Sequence, residues 1–287
     1  MTSSSVIYLP GQEIETGLQS VMPGHGTLLL PNGHVTSLCA GPFVRIGSVV
    51  SVQCLKQRYK AQQADVVVGR VIELSIEKSE WSVDIGTTLK AKLPLSSIME
   101  QRRQTQKDAL NMRSFFTEGD LICGVIYRAN PNSNSVVHLS DKLPQKLEYG
   151  TLINVPSTLI KRVAEHYRHF DFGIDCILSH NGNIWISPSA SLRQQYATTH
   201  PEEIFSRVAR LRNVILSFST LFKVITPETL EKAYHMSETL GMKPYDILAN
   251  ETAMNRVVAS GLKDEKEDAD NQQLLDEEPQ LEPENDD

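Results

Sequence analysis

Residues 65–74, Asp65-Val66-Val67-Val68-Gly69-Arg70-Val71-Ile72-Glu73-Leu74, and residues 81–93, which run from Trp81-Ser82-Val83-Asp84-Ile85 to Leu89-Lys90-Ala91-Lys92-Leu93, decide the reading of this chain. Trp81, Val83 and Ile85 alternate with Ser82 and Asp84, and Leu89, Ala91 and Leu93 alternate with Lys90 and Lys92. A period of two puts the apolar set on one face of a strand and the lysines on the other. Leu121–Arg128 and Ser135–Leu139 join Asp65–Leu74, Trp81–Ile85 and Thr88–Leu93 as β-like runs. Between the third and fourth runs lies Met99 to Phe116, rich in Arg, Gln and Lys and read as a helical insert, after which Glu118-Gly119-Asp120 turns the chain. Short strands in this order, with an insert before the fourth, predict a small OB-type barrel over residues 64–142.

On the N-terminal side, residues 1–63 carry close-spaced turn signals: Pro10-Gly11, Pro23-Gly24, Pro31-Asn32-Gly33 and Gly41-Pro42. Short apolar runs at Thr27–Leu30 and Val44–Leu55 between them predict a small β domain. On the C-terminal side, residues 143–260 mix periods. Pro156 followed by Leu159, Ile160, Val163 and Tyr167 predicts a helix, and Ile174–Leu178 and Ile184–Ser187 predict two strands joined through Asn181-Gly182. Helices are then expected after Thr199-His200-Pro201, after Thr226-Pro227 and after Lys243-Pro244. The fold class is therefore multi-domain α+β.

The charge is divided unevenly. The chain has 287 residues and a net charge of −7. Residues 261–287 hold 12 acids and 2 lysines, a net of −10, which leaves +3 for residues 1–260. A slightly basic body can attract phosphate backbones, while an acidic end of this composition is expected to be disordered. The four cysteines, Cys39, Cys54, Cys123 and Cys176, show no paired spacing and sit in apolar runs, so buried thiols are expected rather than zinc ligands. No apolar stretch is long enough to span a bilayer. No basic start with a long apolar run marks a signal peptide.

The chemistry-bearing candidates are few. The barrel's polar side offers Lys78, Lys90, Lys92 and Arg128, and the insert adds Arg102, Arg103, Lys107 and Arg113. Cations within reach of one groove bind single-stranded nucleic acid by neutralising phosphates; the bland alternative is an ordinary solvated charged face. Trp81 stacks a base or packs a core, and its phase with Val83 and Ile85 favours the core. Exposed aromatics are scarce here, so base stacking is expected to be limited. Ser179-His180-Asn181-Gly182 is either a structural turn or a backbone clamp of the GxxG kind. Glu165-His166 and His169 match no zinc spacing, and there is no GxSxG, P-loop or GxGxxG before a helix. Neither an enzyme nor a cofactor is expected.

Several stretches, taken in order, resemble one family. They are Leu9-Pro10-Gly11-Gln12, Gly24-His25-Gly26-Thr27, Arg58-Tyr59, Asp65–Val71, Trp81-Ser82-Val83-Asp84, Met112-Arg113, Glu118–Ile122 and Asn181-Gly182-Asn183-Ile184-Trp185-Ile186. Together they resemble the three-domain cap subunits of the RNA exosome, built from an N-terminal β domain, an S1-type OB barrel and a KH α/β domain with C-terminal helices. The resemblance spans residues 8–190. It implies a non-catalytic, single-stranded-RNA-binding subunit seated on a ring of RNase PH-like subunits beside other S1/KH cap subunits. RNA would be guided into the pore for 3′→5′ degradation and ribosomal RNA maturation by separately associated nucleases, with no membrane partner. The resemblance also implies nuclear, nucleolar and cytoplasmic pools, and a GxNG turn that packs the S1 domain against the KH domain. This chain departs from the pattern at Ser179, which stands for the first glycine of that turn, and at Ala64, which stands for the glycine before Asp65. A freestanding S1/KH RNA-binding regulator and a nuclease remain as rival readings.

Overall fold

The structure, a computed structural model of the full chain, describes residues 7–14, 22–54, 56–98, 111–130, 133–163, 165–190, 192 and 201–262. They form two compact units, residues 1–167 with 176–187, and residues 168–175 with 188–287.

The first unit opens with seven short strands: β1 (Ile7–Tyr8), β2 (Glu13–Ile14), β3 (Met22–Pro23), β4 (Thr27–Leu29), β5 (Val35–Ser37), β6 (Gly41–Ile46) and β7 (Val49–Val52). They make two small sheets, ordered β1-β6-β7-β3 and β2-β5-β4. Ile14, Val35, Val50 and Val52 form their shared core. The strands stay this short because a turn interrupts the chain every few residues, as at Gly33 (φ +84°) and Gly47 (φ +61°).

The barrel follows: β8 (Val66–Ser75), β9 (Glu80–Asp84), β10 (Ala91–Pro94), β11 (Leu121–Arg128) and β12 (Val136–His138). The strands pair in the ring β8-β9-β10-β12-β11 and back to β8, with β10 and β12 parallel and the other pairs antiparallel. The parallel β10–β12 pairing closes the sheet on itself, which is the OB-type way to leave a small sheet without open edges. The alternation read from the sequence sets the inside: Trp81, Val83, Ile85, Ala91 and Leu93 lie in the barrel core with Val67, Val71, Ile122, Ile126 and Val137. Trp81 is fully buried, edge-on to Phe116 at 5.7 Å, and its Nε1–H donates to the Phe116 carbonyl at 3.2 Å. The indole is thus a core residue with its polar atom satisfied. The third strand begins at Ala91 rather than Thr88, and Leu89 is exposed. Of the expected insert, residues 99–110 lie outside the described residues. Its end is a 3₁₀ turn, Met112–Ser114, that sends Met112 and Phe116 into the barrel core.

A short strand, β13 (Lys146–Leu147), extends β11, and β14 (Thr151–Asn154) pairs antiparallel with a later strand, β17 (Asn183–Pro188). Between them lie β15 (Tyr167–Phe170) and β16 (Ile174–Leu178). The helix expected after Pro156 does not form. A 3₁₀ turn, Ser157–Leu159, gives way to extended backbone at Ile160. Leu159 and Ile160 are both buried by this single turn, so the apolar positions that mimicked helical spacing find a core without a helix.

In the second unit, three helices carry most of the core: α1 (Pro201–Thr220), α2 (Pro227–Thr239) and α3 (Glu251–Leu262). Thr226 caps α2 by accepting from the Thr229 N–H at 3.2 Å, with Pro227 at the first helical position. The segment after Lys243 is a 3₁₀ turn, Pro244–Leu248. The sequence reading did not include α3, which takes in Gly261 and Leu262, so the expected tail starts later than residue 261. Gly261 is needed there, because a Cβ would come within 2.6 Å of the Thr229 carbonyl. Residues 263–287 lie outside the described residues.

Candidate nucleic-acid interface

The site is built on the outside of the barrel. Lys78, Lys90 and Arg128 are exposed, and none makes an ion pair with a described residue. Lys92 is different. Its ammonium meets Glu80 Oε1 at 2.8 Å, two residues along from its strand partner Ser82. Arg113 is also paired, to Glu118 at 3.0 Å. Arg102, Arg103 and Lys107 lie outside the described residues. The cations expected to act together are therefore of two kinds: open ones at Lys78, Lys90 and Arg128, and neutralised ones at Lys92 and Arg113. A neutralised lysine must break its own pair to bind a phosphate, and so contributes less. No periodicity argument could have separated the two kinds, because Glu80 reaches Lys92 across strands.

Strand β12 ties several of these residues together. Val136 lies opposite Lys92 on one side and Arg128 on the other. The Asn134 amide donates to the Lys90 carbonyl at 2.7 Å. The register of β11 against β12 slips between Ile126 and Arg128, which leaves Tyr127 as the extra residue of a bulge. Tyr127 is 57% exposed and stacks on His138, with centroids 4.3 Å apart and planes 6° from parallel. The sequence reading expected little base-stacking surface and missed this pair. The signal was present: Ile122 and Ile126 point inward, so a period of two sends Tyr127 outward.

The Ser179–Gly182 turn packs against strand β8 and is largely buried. The Asn181 amide donates to the Val68 carbonyl at 2.8 Å and the Ile85 carbonyl at 2.9 Å, and Asn181 Oδ1 accepts from the Val68 N–H at 3.3 Å. Asn183 Nδ2 adds a second donor to Val68 O at 2.8 Å. The His180 N–H donates to Val66 O at 2.9 Å, and His180 Nδ1 accepts from the Val66 N–H at 2.9 Å. The Ser179 hydroxyl sits between Asn181 Oδ1 and the Asn183 carbonyl, within reach of both. With Asn181 buried and fully bonded, its side chain holds strand β8 and is not presented to a ligand. Gly182 (φ +88°) is the one position of the turn that requires glycine, since a Cβ would stand 2.2 Å from the Val155 carbonyl. Neither His180 nor Asn181 has positive φ, so this is not the two-residue hairpin turn that Asn-Gly most often marks.

Below the turn, a small apolar cluster of Val68, Cys123, Leu147, Ile177 and Trp185 seals the barrel's outer face. Burial pushes the Cys123 thiol up to about 12, so it acts as a packing residue. Cys176 is also buried, whereas Cys39 and Cys54 are only half-buried, contrary to expectation. Beside the turn, Asp65 is 1% exposed and accepts from the Tyr59 hydroxyl at 2.6 Å and the Gln62 N–H at 3.1 Å. Arg162 closes on its other oxygen at 2.8 Å. His180 packs against His166 with centroids 4.0 Å apart. Its burial, followed by the neighbouring His166, holds the His180 imidazole below its ordinary pKa. His166 Nδ1 faces the Leu178 carbonyl, and His169 pairs with Asp175 at 2.6 Å. Among the described residues no cluster of three or more His, Cys, Asp or Glu is placed to hold a metal ion.

Comparison with known proteins points one way. The family described as RRP4, S1 domain, matches residues 58–127. An exosome complex component RRP4 homolog of Caenorhabditis elegans is 28% identical over 265 residues, covering 88% of this chain and 85% of that one. Exosome complex component RRP4 of Bos taurus is 30% identical over 246 residues, covering 82% of this chain and 83% of that one. Exosome complex component RRP4 of Saccharomyces cerevisiae is 35% identical over 194 residues, covering 66% of this chain and 53% of that one.

Proposed function

The chain belongs to the RRP4 family of exosome complex components, and from that premise we propose that it is a non-catalytic, RNA-binding cap subunit of the RNA exosome. In this reading it sits on an RNase PH-like ring beside other S1/KH cap subunits. It guides single-stranded RNA toward the central pore for 3′→5′ processing and degradation, including ribosomal RNA maturation, while separately associated nucleases do the chemistry. The proposed domain limits are 1–63, 64–142 and 143–260, followed by the acidic end. The proposed locations are nucleus, nucleolus and cytoplasm.

One observation carries the subunit reading. In residues 7–52 the large apolar side chains left exposed, Ile7, Leu9, Met22, Leu28, Leu29, Leu38, Ile46 and Val49, outnumber the buried core of Ile14, Val35, Val50 and Val52. A domain that leaves more of its large apolar side chains exposed than buried fits a surface that a partner covers. The barrel supports the RNA half of the reading. Among the described residues its open cations are few, which suits weak, sequence-blind contact with a passing strand rather than tight capture.

The test is affinity purification of the tagged full chain from native extract, with mass spectrometry and an RNA-degradation assay on the eluate. The expected result is near-stoichiometric RNase PH-like ring subunits, degradation by the complex and none by the purified chain. The chain alone binds RNA more weakly than the complex. Recovery of RNA without a ring would replace this reading with a freestanding regulator. Phosphate-dependent RNA loss with the chain alone would make it a nuclease.

A further inference from the structure

We propose that the stacked pair Tyr127–His138 is a platform for one base of a single-stranded RNA, with Arg128 holding the adjoining phosphate. The proposal rests on the RNA-binding reading above and gives it an atomic location.

Three features of the barrel surface converge there. Tyr127 keeps more than half its surface in solvent while His138 lies parallel against one ring face. A ring braced on one side and open on the other is preorganised to accept a second flat π system, and every base has one. The bulge between Ile126 and Arg128 is the second feature. It breaks the in–out alternation, so two successive side chains, Tyr127 and Arg128, are both exposed. An aromatic next to a cation is the pair a nucleotide needs, one for the base and one for the phosphate. The third feature is charge. Arg128 has no ion-pair partner among the described residues, whereas Lys92, on the far side of Val136, is held by Glu80. The open positive charge in this part of the sheet is therefore next to the open ring.

A cross-strand aromatic pair also steadies a sheet. That role accounts for the contact between the two rings. It does not account for the bulge that exposes Arg128 beside Tyr127, or for the lack of an ion pair to that guanidinium among the described residues.

The test uses the full chain, alone and in the complex recovered with it. Binding is read by fluorescence anisotropy at fixed salt, with a labelled oligouridine of about 10 nucleotides and the same strand made abasic. Tyr127→Ala is expected to weaken oligouridine binding about tenfold and to leave abasic binding unchanged, while Tyr127→Phe retains both. Tyr127→Ile, which keeps a strand-forming side chain without a π face, should repeat the loss at an unaltered thermal midpoint. Arg128→Ala is expected to weaken both strands and to lower the salt slope by about 0.7. If Tyr127→Ile affects neither strand, or both equally, the platform is wrong and RNA binding by the chain still stands. If the wild-type chain and its complex bind neither strand, the RNA-binding reading falls and takes the platform with it.

Discussion

Ala64 has φ +68°, a left-handed backbone where glycine is the residue at ease. Its N–H donates to the Ile126 carbonyl at 2.8 Å, so the barrel holds the conformation in place despite the side chain. Ala64→Gly is expected to stabilise the first unit by about 1 kcal/mol, less what glycine's looser unfolded chain gives back, read as a higher urea midpoint. An unchanged or lower midpoint would mean that the strain is absorbed elsewhere. Asn181 is the opposite case, a side chain that cannot be spared. Asn181→Ala strands the Val68 N–H and the Val68 and Ile85 carbonyls in a buried site, at a cost of about 2–4 kcal/mol. Full-length stability within 0.5 kcal/mol of wild type, roughly the scale of a surface change, would remove that role. His180 supplies the pH dependence. Its neutral Nδ1 accepts from the Val66 N–H, and burial with His166 and Arg162 nearby disfavours the charged form more than Asp65, at 3.9 Å, favours it. The folded-state pKa lies below the unfolded value of 6.5, so the unfolded chain takes up the proton first. Stability is full above that value and falls as pH drops from it toward the folded pKa. Thermal midpoints between pH 7.5 and 5.5, roughly the range a histidine spans, should fall more for wild type than for His180→Gln. Parallel profiles would rule the histidine out as the cause.

At the scale of elements, the strands were easier to read than what they do to one another. Alternation at Trp81–Ile85 located a strand because its inner face fills the barrel, and the continuous apolar run at Ile174–Leu178 located one because it is buried at every position. Thr226 with Pro227 located a helix start because capping is a local transaction between neighbours. The failures share a cause. The apolar spacing at Leu159, Ile160 and Val163 imitates a helix but is answered by contacts distant in sequence, and Arg162 reaches back to Asp65. The pairing that neutralises Lys92 depends on register, and so does the bulge that exposes Arg128 beside Tyr127; neither is written in a local window. The pairing has a measurable consequence. Lys92→Ala is expected to change the salt dependence of RNA binding by the full chain much less than Lys90→Ala, although both lysines lie on the same nominal strand face. Equal effects would show that the Glu80 pair opens freely when RNA arrives.

For the whole molecule, the order of parts was legible: turns and short strands, then a barrel, then strands and helices. The composition of residues 1–63 gave a β domain but not its imbalance, because exposure of Ile7, Leu9 or Ile46 is a fact about packing and not about hydropathy. Ile46 is 76% exposed on β6 and does nothing for the fold there. Ile46→Glu is expected to leave the thermal midpoint unchanged and to cut recovery of ring subunits with the tagged chain several-fold. Full recovery would move the contact surface away from this sheet.

The reach of Asn181 and Asn183 across 113 and 115 residues to Val68 also sets a clock. Strand β8 leaves the ribosome well before the turn that holds its outer flank. At about 5–20 residues per second, strand β8 waits on the order of ten seconds before the turn that covers Val68 is made. During that interval the chain is a sticky, half-finished object. Any ribosome stall between the two points lengthens the exposure of that flank to proteases and to other nascent chains.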